Sequence, residues 1–272
     1  MKYLIAGRSG TGKTELAKRL EAKGLSVLKT YTTRPCRGGD DAERYHFVKP
    51  EDVDGIPGKI LRTDFVGGTY FATKDDVTAA DVLVLDPAGV REVLDLFPDT
   101  MFDLVYLTAD RTTADEMAVA RAEDRDAERK VINERRLKED AIFGPLEKLL
   151  DGESAGHSNL GTLVEENDFE PETLDGLAAQ LVAKYRMNRN FVKILEMMDA
   201  LGAVKTDPDG KIPVEYPDGK RPVSLDLFAE AFIGRDDVVA DIVRSWMTHE
   251  IDFKIPGELA PEPVFRAEVP AG

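Results

Sequence analysis

One octapeptide near the start of the chain constrains its fold more than any other stretch: Gly7-Arg8-Ser9-Gly10-Thr11-Gly12-Lys13-Thr14. The apolar run Tyr3-Leu4-Ile5-Ala6 leads into it, and Glu15-Leu16-Ala17-Lys18-Arg19-Leu20 leads out. Two glycines with four residues between them, then a lysine and a hydroxyl residue, make the pattern of a phosphate-binding turn between a strand and a helix. Gly7, Gly10 and Gly12 allow positive φ, so the N–H groups around Ser9 and Thr11 converge on an anion. Lys13 brings a mobile cation to the outer phosphates, and the Thr14 hydroxyl suits Mg²⁺. The helix that begins there adds the positive end of its dipole to the same point.

Composition narrows the ligand. The 272 residues have room for one good-sized domain and a smaller one, and 42% hydrophobic with 32% charged residues can build a core. No apolar run approaches the roughly 20 residues of a membrane helix, and the N-terminus enters a strand without a signal-like layout. A single cysteine, Cys36, leaves no intrachain disulfide and fits a reducing cytoplasm, which is the expected location. The net charge of −16 opposes binding to nucleic acid or to an acidic membrane. A chain so acidic that binds polyphosphates must gather its arginines locally.

The rest of the pattern alternates strands and helices. Short strands are expected at 25–28 and 45–48, buried strands at 81–86, 102–107 and 161–164, and helices at 90–96 and over much of 112–150. A closing amphipathic helix is expected at 172–186. This order implies α/β architecture, a parallel sheet covered on both faces. Residues 29–40 are too rich in Pro, Gly and Arg for a core element, and 45–73 read as a small strand-rich insert. Beyond Arg186, 191–201 has helical spacing and two Pro-Asp-Gly-Lys turns bracket Ile212-Pro213-Val214-Glu215-Tyr216 as a hairpin-like element. Further helices are expected from Ser224 and over 237–249, and the Pro-rich stretch 256–272 is expected to be extended or disordered.

The segment Thr32-Thr33-Arg34-Pro35-Cys36-Arg37-Gly38-Gly39-Asp40, followed by Tyr45-His46-Phe47, carries the second half of a site. Two arginines three apart in a loop can turn their guanidinium forks on one monophosphate, and the Tyr45 hydroxyl can add a third donor. This segment resembles the monophosphate-binding segment of guanylate kinases, Thr-Thr-Arg-x-Pro-Arg, Gly-Glu, then Tyr-x-Phe. Gly68-Thr69-Tyr70-Phe71-Ala72-Thr73, Asp86-Pro87-Ala88-Gly89-Val90, Arg121-Ala122-Glu123-Asp124 and Asn167-Asp168 resemble later motifs of that family in the same order. The resemblance covers about residues 1–186, with an acceptor insert at about 31–80 and a lid at about 112–138, and leaves 187–272 as a small α-rich module.

It implies a P-loop kinase fold and an enzyme that moves the γ-phosphoryl of Mg·ATP to GMP or dGMP. By the resemblance Arg34, Arg37 and Tyr45 hold the acceptor phosphate with Thr30 close by. Thr73 helps read the base, Asp86 lies near the Mg²⁺ and the phosphates, and lid arginines close over the ATP. Those arginines are Arg121 and Arg125, then Arg135 or Arg136. Three positions depart from the family. Phe71 replaces the second tyrosine of a Tyr-Tyr pair, so Tyr70 is left to supply a hydroxyl, and Val84 replaces a carboxylate. The base-reading glutamate has no direct counterpart, the position falling on Arg62 or, after a two-residue shortening, on Asp64. Two alternatives therefore accompany the guanylate reading: a deoxynucleoside monophosphate kinase of broader specificity, and a kinase-like protein-binding module. Residues 187–272 fit packing on the core, a homodimer contact or a protein partner. His46, His157 and His249 are scattered and form no metal pattern.

Overall fold

The computed structural model describes residues 1–36, 44–65, 68–121, 125–150, 160–200, 208–216, 219–223 and 266–267. The chain forms two compact units, one of Lys2–Phe97 with Phe102–Ala179 and one of Met1, Pro98–Met101 and Gln180–Gly272. The larger unit is an α/β layer structure. Its central sheet holds β1 (Lys2–Gly7), β6 (Val82–Val84), β7 (Phe102–Thr108) and β8 (Leu160–Glu166) in the order β6-β1-β7-β8, all parallel. Residues 25–28 add a single parallel bridge, Val27 to Val82, at the β6 edge rather than a full strand.

The apolar runs of β1 and β7 are continuous because both of their faces are covered. Helix α1 (Lys13–Ala22) packs on β1 and β6. Leu4, Ala6, Leu83, Leu104 and Tyr106 instead share a core with Val90, Val93 and Leu94 of α3 (Pro87–Leu96) and with Phe143 of α5 (Arg125–Leu150). The helical stretch expected over 112–150 is two helices, α4 (Arg111–Arg121) and α5. The short α2 (Lys74–Ala79) precedes β6.

The insert is a second sheet, ordered β3-β2-β5-β4, of β2 (Thr30–Thr32), β3 (Tyr45–Phe47), β4 (Lys59–Phe65) and β5 (Gly68–Thr73). The expectation that 29–40 holds no core element is corrected at its start. Thr30-Tyr31-Thr32 is β-branched and aromatic, pairs on both sides, and buries Thr32 completely.

One further correction concerns the closing helix. The helix expected to end at Arg186 continues as α6 (Pro171–Ala200), since Met187-Asn188-Arg189-Asn190 contains neither Pro nor Gly to stop it. The expected hairpin is present as β9 (Ile212–Tyr216) and β10 (Gly219–Val223). Of the Pro-rich stretch, the described residues form β11 (Arg266–Ala267), an extended segment that pairs antiparallel with β9. The helices expected from Ser224 and over 237–249, with His157 and His249, lie outside the described residues. No helix among the described residues is long and apolar enough to cross a membrane.

Candidate active site

Parallel strands bring their carboxyl ends to one edge, where ligands of open α/β sheets bind. Gly7 ends β1, Asp86 follows β6, Thr108 ends β7 and Asn167 follows β8. The register of β1 on β6 runs to Ile5↔Val84, two residues before Gly7 and Asp86. The phosphate-loop sequence thus sits in the middle of this edge.

Its glycines are required by space as well as by conformation. Gly7 has φ 149°, and a Cβ there would stand 2.3 Å from the Leu107 carbonyl oxygen of the neighbouring strand. Gly12 has φ 93°, and its Cβ would meet Asn167 Nδ2 at 2.5 Å. Gly12 caps α1 with no side-chain acceptor, so the helix opens toward an anion without a competing cap of its own. The loop is tied inward through the Arg8 carbonyl. That oxygen accepts from Thr11 Oγ1 at 2.9 Å and from Lys13 Nζ at 2.6 Å. Asn167, almost fully buried, donates Nδ2–H to the Thr11 carbonyl at 3.2 Å, while its Oδ1 accepts from the Phe169 N–H at 3.0 Å. Asp168 accepts from Thr173 Oγ1 and the Glu170 N–H, and the Thr173 bond first among these holds its carboxyl below the usual range.

Cavities open on either side of the loop. One of about 410 Å³ is lined by Gly12, Lys13, Thr14, Arg44, Asn167 and Phe169. The other, about 200 Å³, is lined by Arg8, Ser9, Tyr106, Arg111, Arg136 and Glu139 among others.

Four of the expected acceptor residues, Thr30, Arg34, Tyr45 and Tyr70, meet on one face of the insert sheet. The pairings Thr30↔Tyr45, Thr32↔Phe47 and Thr32↔Tyr70 put these side chains on the same side. Arg34, 7% exposed, lays its guanidinium over the rings of Tyr45 (4.9 Å) and Phe47 (5.7 Å), and Tyr45 meets Tyr70 edge-on at 5.9 Å. Arg34 also donates Nη1–H to the Pro35 carbonyl. Asp64 does not join them. Its partner is Thr69, whose hydroxyl it accepts at 2.7 Å, and because side chains alternate it faces away from Tyr70. Arg62 is exposed. Phe71 faces the reverse side too, fully buried and stacked on Tyr31 at 5.0 Å.

Two expected ligand residues act as helix caps. Thr73 caps α2 in a reciprocal box with Asp76, and Asp86 caps α3 by accepting the Gly89 N–H at 2.7 Å. Arg37 lies outside the described residues, as do the side chains of Arg121, Arg125 and Arg135. Arg136 is described and pairs with Asp115 of α4, also donating to the Arg111 carbonyl at 3.3 Å. Cys36 is exposed and forms no disulfide.

No family model matches the chain, and no curated protein does. Among solved structures it is similar to a guanylate kinase from Anaplasma phagocytophilum, at 14% identity and a TM-score of 0.40 over 66% of this chain and 81% of that one. It is also similar to a sugar kinase from a Janibacter species, at 15% identity and a TM-score of 0.33 over 67% of this chain and 94% of that one. The guanylate-kinase resemblance rests on the motifs that carry it.

What the motifs did not single out is the ring of groups around Arg8. Arg8 Nε and Nη2 donate in a fork to Glu147 of α5 at 2.9 and 2.8 Å, and Nη1 pairs with Asp140. Tyr106 donates its hydroxyl to Glu147 Oε1 at 2.5 Å. Burial first, then this bond to a carboxylate, pushes the Tyr106 phenol well above its usual range. The Arg8 fork holds Glu147 below the usual carboxylate range, and Arg111 and Arg8 do the same for Asp140. The Ser9 N–H donates to Glu139 Oε1 at 2.9 Å. The one signal available beforehand was carboxylates 139, 140 and 147 recurring at helical spacing among the arginines.

Proposed function

We propose that the chain is an ATP-dependent phosphotransferase whose acceptor is a nucleoside monophosphate, GMP or dGMP first. The observation that carries the reading is the phosphate loop at the carboxyl edge of a parallel sheet. Its Gly7 and Gly12 occupy positions no side chain fits, and Lys13 opens the following helix. The sheet face of Arg34, Tyr45 and Tyr70 supplies a second cationic, hydroxyl-bearing surface for an acceptor phosphate.

In this reading Lys13 leaves the Arg8 carbonyl and turns its ammonium to the phosphates of the donor. Backbone N–H groups of the loop hold those phosphates still. Arg34, stiffened by the rings beneath it, fixes the acceptor phosphate in line, and Arg136 with the other lid arginines neutralises charge on the transferring group. Transfer needs no covalent intermediate, since positioning and electrostatics supply the catalysis. The Thr14 hydroxyl, in the first turn of α1, and the Asp86 carboxylate, just after β6, are hard oxygen donors, which fits Mg²⁺. When bound, Mg²⁺ would offset the charge of the β- and γ-phosphates.

A second reading keeps the chemistry and widens the acceptor. It is favoured by Asp64, the carboxylate expected to read guanine, lying on the reverse face of the insert from Tyr45 and Tyr70.

A coupled ADP-release assay over the ribo- and deoxynucleoside monophosphates tests both readings. Turnover confined to GMP and dGMP supports the first, and comparable turnover of dTMP or dCMP supports the second. Lys13→Ala should lower turnover by about 10³-fold with the fold intact. No turnover with any acceptor, or a biological activity indifferent to Lys13→Ala, returns the chain to a protein-binding role.

A further inference from the structure

Helix α5 presents one stripe to the phosphate loop: Arg136, Glu139, Asp140, Phe143 and Glu147, at spacings that share a helix face. Phe143 is buried beside Tyr106 at 6.4 Å, and Arg8 sits 5.9 Å above its ring. Glu147 and Asp140 clamp the Arg8 guanidinium from the same stripe. The helix is therefore anchored to the loop by apolar burial and by paired charge. That anchorage decides where Glu139 goes. Its Oε1 accepts the Ser9 N–H at 2.9 Å, inside the turn that converges backbone donors on an anion, and it lines the cavity of about 200 Å³ on that side.

We propose that Glu139 is an internal plug of the phosphate loop, a carboxylate of the chain's own that holds a donor position meant for a phosphate oxygen. The inference rests on reading residues 7–14 as a phosphate loop. A polyphosphate must displace the plug, so its apparent affinity is reduced by the fraction of molecules in which Glu139 is seated. Displacement also returns α5 a carboxylate that repels the incoming charge. Release of the plug is thereby coupled to movement of the helix that bears Arg136. A ligand with a single weakly held phosphate gains too little to exchange with it, whereas a polyphosphate that also engages Lys13 gains more.

The test is calorimetric titration of the full chain, wild type, Glu139→Gln and Lys13→Ala, with Mg·ATP and with magnesium tripolyphosphate, which lacks a base. Hydrogen exchange at the Ser9 amide serves as a second measurement. The expected result is that E139Q binds both ligands about fivefold more tightly, that its Ser9 amide exchanges faster than in wild type, and that K13A abolishes binding. If E139Q binds no more tightly than wild type while K13A still abolishes binding, the plug is overturned and the phosphate-loop reading stands. If wild type and E139Q both fail to bind either ligand, the phosphate-loop reading falls and the plug with it. Binding by E139Q alone supports the plug in its strongest form.

Discussion

Replacing Glu147 by Gln keeps the shape of the side chain and removes its charge. Glu147 is bound by two Arg8 donors and one phenol, with the side chains of Arg8 and Glu147 17% and 35% exposed. A fully exposed pair contributes at most about 1 kcal/mol, and breaking a fully buried one costs about 3–5 kcal/mol. This pair lies between those limits, and solvent screening at Glu147 moves it toward the lower, so the expected loss is about 2 kcal/mol at neutral pH. The sign with pH follows from the Arg8 fork, which depresses the Glu147 pKa below its ordinary 4.5. A depressed carboxyl contributes stability that is present above its unfolded value and lost as pH falls through the folded one. The gap between wild type and E147Q should thus hold from neutral pH down to about 4.5 and close below it. Urea unfolding followed by helical circular dichroism measures this as a midpoint shift at constant slope. A double-mutant cycle with Arg8→Met should return most of the loss as coupling between the two residues. A neutral-pH difference under about 0.5 kcal/mol, or one that persists undiminished at pH 3, would refute the reasoning.

Gly12→Ala must hold a side chain at φ 93° against Asn167, and should destabilise by about 3 kcal/mol and abolish nucleotide binding. Thermal unfolding and a titration with Mg·ATP check both effects. Asn167→Ala removes the bond to the Thr11 carbonyl and the acceptor of the Phe169 N–H, for an expected loss of about 2 kcal/mol and weaker ATP binding with acceptor affinity unchanged. Phe71→Tyr restores the tyrosine of the guanylate-kinase pattern, yet here it adds a hydroxyl to a fully buried ring stacked on Tyr31. It should destabilise by about 1–3 kcal/mol without improving the acceptor KM, and a lower KM would show that the ring faces the acceptor after all.

Local features were the legible ones. The phosphate loop could be read because glycine positions report backbone conformation, and its strand and helix are short-range elements. Strand β7 and helix α3 were legible from apolar runs and spacing. Arg34, Tyr45 and Tyr70 were legible as a group only through the family motif, and the structure unites them on one sheet face. Continuation of α6 through Arg186 and the β11 pairing were missed, since neither a helix lacking a stop signal nor a two-residue partner leaves a periodic trace.

By itself the sequence determined the strand–turn–helix at residues 1–22, the charge economy of an acidic chain with local arginines, and the alternation that makes a parallel sheet. Tertiary structure alone decided which carboxylates answer Arg8 and Ser9, from positions 130 or more residues away. It also decided that Asp64 turns from the sheet face that carries Tyr45 and Tyr70. The reason is physical. Conformation at a glycine is set by its own sterics, whereas the partner of a charge is set by how helices pack and strands register. Those depend on the whole core.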